Sequence, residues 1–123
     1  MDIKRFQELS QRTMPTIGSQ VNVEGDEVTM TKHLITANYA MGLAGEAGEV
    51  TDLIKKSVFH GHSLDKEEAE KEIGDVMHYV AGLATLLDLD METILDKNIK
   101  KLQKRFPNGF NSADSVKRAD ISN

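Results

Sequence analysis

Apolar residues recur at a period near 3.6 through three consecutive stretches of this 123-residue chain, and that period limits it to a helical architecture. The first stretch, about Thr29 to Phe59, carries Tyr39, Leu43, Ala47, Val50, Ile54 and Ser57 along one face. The second, about Lys66 to Leu87, carries Ile73, Val76, Met77, Val80, Leu83, Ala84 and Leu87. The third begins after Asp90, ends near Arg105, and offers Ile94, Leu95, Ile99, Leu102 and Phe106 as its buried side. A shorter helix over residues 2 to 13, with Ile3, Phe6 and Leu9 in register, precedes them and stops at Pro15. No strand alternation is read anywhere, so the expected fold is all-α and resembles a four-helix bundle.

The punctuation agrees with this division. His60-Gly61-His62 reads as a turn, Asp65-x-x-Glu68 as a capping signal, Asp90 as an N-cap, and Pro107-Asn108-Gly109 as a stop. Thr16 to Asp26 reads as a surface loop, and residues 111 to 123 as a polar, irregular tail. One domain covering residues 1 to 123, with its core at about 30 to 110, follows from this length. A chain this small with broad apolar stripes completes its burial against another copy, so a homodimer or homotetramer is expected.

Charge and composition exclude several classes. The net charge of −5 argues against a nucleic-acid polymer as partner, because non-specific binding there relies on Lys and Arg neutralising phosphates. There is no Cys, hence no disulfide and no thiolate site, as suits a reducing cytoplasm. No segment reads as a membrane span or a secretory leader. A cytoplasmic protein is expected.

Two acidic pairs stand out against this plain background: Glu46-x-x-Glu49 in the first long helix and Glu72-x-x-Asp75 in the second. A spacing of three puts each pair on one helix face. At about 100° per residue, Glu46 falls on the edge of the apolar stripe, between Tyr39 and Leu53, and Glu49 falls just outside it. Glu72 and Asp75 flank the second stripe in the same way. Asp52 and Lys56 suit a solvated face, whereas an isolated carboxylate in the position of Glu46 is costly to desolvate. With the helices antiparallel, four carboxylates could gather around divalent cations. Salt-bridged helix edges are the competing explanation.

Other features are weaker. Asn98, Lys101 and Arg105 form one line beside the last apolar stripe, suited to phosphate oxygens or, for the basic residues, to a helix C-terminus. Gly42, Gly45 and Gly48 sacrifice roughly 3 kcal/mol of helix propensity, which close approach by a helix or ligand would offset, the alternative being a frayed or kinked helix. His60 and His62 read as solvated. Asp75-x-x-His78 has ligand-like spacing without the paired Glu-x-x-His of a di-iron bundle.

The run Gly42-Leu43-Ala44-Gly45-Glu46-Ala47-Gly48-Glu49-Val50, then Glu72-Ile73-Gly74-Asp75-Val76, then Asn98 through Arg105-Phe106-Pro107-Asn108-Gly109-Phe110, resembles the MazG-like nucleotide pyrophosphohydrolases of the all-α NTP pyrophosphatase superfamily. The resemblance spans about residues 30 to 118. It implies a bundle that dimerises, or assembles further to a tetramer, and Mg²⁺-dependent cleavage of nucleoside triphosphates to monophosphate and pyrophosphate, with Mn²⁺ as the alternative ion. By the same resemblance Glu46, Glu49, Glu72 and Asp75 are metal ligands; the chemistry leaves one Glu to orient or deprotonate water, and Glu49, at the outer edge of its pair, is the choice. Asn98, Lys101 and Arg105 would hold the phosphates or position a neighbouring acid, assisted by Lys55 or Lys56. The alternatives are a non-catalytic helical module that binds nucleotide or protein, and a specialist such as a dUTPase or a phosphoribosyl-ATP pyrophosphohydrolase.

Overall fold

The architecture grows from four capped helix starts. Asp2 accepts a hydrogen bond from the Arg5 amide, Thr31 from Leu34, Asp65 from Glu67 and Glu68, and Asp90 from Thr93. Caps of this type contribute about 1 kcal/mol each. They open α1 (Ile3–Ser10), α2 (Lys32–Phe59), α3 (Lys66–Leu86) and α4 (Met91–Arg105) in a computed structural model that describes residues 1–121. A 3₁₀ turn, Gln11–Thr13, extends α1. The chain is mostly helical, as its periodicity requires.

Two segments differ from the sequence reading. The stretch taken as a surface loop holds an antiparallel hairpin, β1 (Gln20–Val23) and β2 (Asp26–Thr29), in which Val21 lies opposite Val28. Its two-residue turn has positive φ at Glu24 (50°) and Gly25 (91°), the hand that matches the twist of a hairpin. The polar tail likewise contains a short helix, α5 (Ser112–Lys117), capped by Asn111. Ser122 and Asn123 of that tail lie outside the described residues.

α2 and α3 form the spine. They run antiparallel: Tyr39 packs against Gly82, and Tyr79 against Gly42. At both glycines the opposing ring fills the space that a Cβ would need, so these two positions set how closely the helices approach. Ile35, Tyr39 and Leu86 form one buried cluster, flanked by Met14, Met30, Tyr79 and Leu83. Ala81, Ala84 and Met91 form another, covered by Ile3, Phe6, Met77 and Val80. Gln7 pins α1 to the α3–α4 turn, donating to the Leu89 carbonyl at 2.8 Å and accepting from the Met91 amide at 2.9 Å.

The core is small. The stripe on α4 that was expected to be buried is largely uncovered in the single chain: Ile94, Leu95, Ile99 and Leu102 are 36 to 54% exposed, and only Phe106 is half-buried. α4 packs on α1 and α5; Met91 at its start joins the α3 cluster, and beyond it α4 makes little contact with α2 or α3. Met41, Val58 and Ile73 on the other helices are exposed too. Among the described residues no helix is long and apolar enough to cross a membrane.

Candidate metal centre

The antiparallel register that sets Gly42 against Tyr79 carries on by one turn to bring Glu46 level with Asp75. One carboxylate oxygen from each of Glu46, Glu72 and Asp75 lies within 4.8 Å of the others. Glu46 and Glu72 are half-buried and Asp75 is exposed. Among the described residues none of the three is paired with a Lys, Arg or His, so the salt-bridged alternative has no partner here. Burial, a hydrogen bond with Glu68 and the nearby charges of Glu46, Glu68 and Glu49 together hold the Glu72 carboxyl above the usual glutamate range.

Glu49 does not join that triplet. It borders a neighbouring cavity of about 170 Å³ with Asp52, Leu53, Lys56, Glu68 and Glu72. Glu72 therefore belongs to both spaces. Asp52 and Glu68 are additions that sequence reading placed elsewhere, on a solvated face and in a helix cap. Their signal was present in the spacing: Asp52 continues the three-residue step from Glu49, and Glu68 sits one turn before Glu72.

The lysines divide. Asp52 accepts from Lys55 at 3.1 Å and from Lys56 at 2.9 Å, which holds its carboxyl below the ordinary range and raises the Lys56 ammonium. Lys56 is thus held in the wall of the acidic cavity by its own helix, and Lys55 is not among the residues that line it. The α4 line stands apart. Asn98 and Lys101 are exposed, and no hydrogen bond or ion pair joins them to the carboxylates among the described residues. Arg105 turns towards α5, donating to the Ser115 hydroxyl at 3.3 Å with its guanidinium 4.9 Å from the Phe106 ring centre. His60 and His62 are exposed beyond the end of α2.

An aromatic layer underlies the acids. Tyr39 and Tyr79 meet edge to face with ring centres 5.3 Å apart, and His78 packs 5.2 Å from Tyr79. Burial pushes the Tyr39 phenol up. The three glycines of α2 are not equivalent. Gly42 is needed for close approach, while a side chain at Gly45 or Gly48 would meet nothing within 4 Å.

The donor set fits a hard divalent cation: every ligand atom is a carboxylate oxygen, and none of the three carboxylates is neutralised by an ion pair among the described residues. A model of the MazG nucleotide pyrophosphohydrolase domain matches residues 36–110, which include both acidic pairs and the α4 line. The chain is also similar to the Gene 37 protein of Mycobacterium phage L5, at 40% identity over 73 residues. That match covers 56% of this chain and 64% of the phage protein, so the chain spans less than two thirds of the curated relative's length. No solved structure matches the chain.

Proposed function

The chain belongs to the MazG nucleotide pyrophosphohydrolase domain family, and from that premise we propose that it hydrolyses nucleoside triphosphates to monophosphate and pyrophosphate with Mg²⁺. The convergence of Glu46, Glu72 and Asp75 carries this reading. These three would hold the ion, with Glu49 reaching it or a second one from the adjoining cavity. When bound, Mg²⁺ neutralises the polyphosphate and polarises its oxygens.

The protein's own groups then have distinct tasks. Glu49, in a cavity lined by further carboxylates, orients a water molecule and takes its proton. The water oxygen bonds to phosphorus, the anhydride bond between the α- and β-phosphates breaks, and pyrophosphate leaves with the bonding electrons. Lys56, held by Asp52 in the cavity wall, offers a cation to the leaving phosphates. Asn98, Lys101 and Arg105 are assigned to the phosphates through assembly. α4 lies off the α2–α3 spine with its apolar side uncovered, and packing against another copy would both bury that side and close the site.

Pyrophosphate release from a panel of ribo- and deoxyribonucleoside triphosphates, with and without Mg²⁺, tests the proposal. Metal-dependent pyrophosphate is expected, abolished by Glu46→Ala or Asp75→Ala with helical circular dichroism retained. Tight binding of Mg-nucleotide by calorimetry without turnover of any nucleotide would replace the enzyme with a binding module.

A further inference from the structure

A second cavity, of about 410 Å³, lies between the first helical segment and α3, bordered by Phe6, Leu9, Ser10, Arg12, Thr13 and His78. Its position relates it to the acids. His78 follows Asp75 by three residues on α3, so the two side chains lie about one helical turn, or ~5 Å, apart. That gap is one a pentose can bridge between a base and its phosphates.

The walls are of two kinds. Phe6 and Leu9 supply apolar surface for a flat ring, while Ser10, Thr13, His78 and Arg12 supply a polar edge. The Ser10 residue is only 7% exposed, yet its hydroxyl has no hydrogen-bond partner among the described residues. The hydroxyl is not sealed off, so a ligand in the cavity can reach it. Thr13 is already positioned, its hydroxyl 3.4 Å from His78 Nε2. Arg12 stands exposed at the rim with no ion pair among the described residues.

Of the polar edge only Arg12 is confined to donating; the hydroxyls and the imidazole can donate or accept. Arg12 therefore sets the choice, and its guanidinium fork matches the adjacent acceptors O6 and N7 of guanine. We propose that this cavity is the nucleobase subsite of the hydrolase described above, resting on that reading, and that it takes guanine.

Two measurements test it. In the first, pyrophosphate release from dGTP, dATP, dCTP and dTTP is compared for the wild type, Arg12→Ala and Ser10→Leu. The wild type should favour dGTP, and Arg12→Ala should lower the dGTP-to-dATP ratio of kcat/KM by about 5- to 150-fold. In the second, dGMP is titrated without metal while the imidazole resonances of His78 and the amides of Ser10 and Thr13 are followed by NMR. Shifts at these three positions, weakened by Arg12→Ala, support the subsite. Pyrophosphate release with base preference unchanged in both variants overturns the subsite and leaves the hydrolase standing. Shifts with dGMP in a protein that cleaves no triphosphate support the subsite and overturn the hydrolase.

Discussion

The Tyr79 ring occupies the space over Gly42 that a side chain there would fill, one turn along from the carboxylates of Asp75 and Glu46. The spacing of α2 and α3, and hence of the acids they carry, is fixed by this contact. Gly42→Ala should therefore cost about 1 to 3 kcal/mol in overpacking, less about 1 kcal/mol gained in helix propensity. Gly45→Ala and Gly48→Ala should instead stabilise the chain by up to about 1 kcal/mol each. Thermal denaturation of the three variants checks the contrast, and equal melting shifts would show that the Tyr79 contact does not control the helix spacing.

Glu72→Gln should separate stability from activity. The Glu72 carboxylate is held in a partly buried position beside Glu68, Glu46 and Glu49, so its charge opposes folding when no cation is present. Removing that charge should raise Tm in EDTA and shrink the further rise on adding Mg²⁺, while pyrophosphate release falls by about 10- to 100-fold. A variant that melts lower in EDTA would contradict the electrostatic origin of the effect.

Much of this was legible before any coordinates. The 3.6-residue period located α2, α3 and α4 to within a few residues, because long stripes, two of them opened by the caps Asp65 and Asp90, leave little freedom. The hairpin was not read because its two strands are four residues each and almost wholly exposed, which left Val21, Val23 and Val28 as a faint alternation around Glu24-Gly25. Within the acids, a helical wheel placed all four on facing edges. It could not show that Glu46, Glu72 and Asp75 would meet while Glu49 turned to Asp52 and Glu68, since that depends on axial register as well as angle. The α1 cavity was invisible for a related reason, being built from residues far apart in the chain.

The C-terminal segment should respond to acid through one carboxylate. Arg118 donates to both oxygens of Asp120, at 3.1 and 3.0 Å, and the Asp120 side chain is almost fully covered. That pairing holds its carboxyl below the ordinary value of 3.8. A depressed folded-state pKa means the stabilisation is complete above the unfolded value and is lost as pH falls through the folded one. The amides of α5 should accordingly lose protection from hydrogen exchange below about pH 4, and Asp120→Asn should lose it already at neutral pH. An acid profile identical in wild type and variant would assign the transition to another group.

Assembly makes the last prediction. Ile99 is 54% exposed on α4, amid Ile94, Leu95 and Leu102. Four large aliphatic side chains along one helix face form a patch of the kind that soluble chains cover with a partner. Asn98 and Lys101, next to that patch, are as far from the carboxylates as the packing of α4 on α1 and α5 dictates. If a second copy covers the face, Ile99→Asp buries an unpaired charge in the interface, and each 1.4 kcal/mol of that penalty weakens association tenfold. Sedimentation should show the wild type as a dimer or tetramer and the variant shifted to monomer, with pyrophosphate release falling in parallel and circular dichroism unchanged. A wild type that sediments as a monomer at micromolar concentration while turning over at its full rate would mean that one chain completes the site, and that Asn98, Lys101 and Arg105 have no part in it.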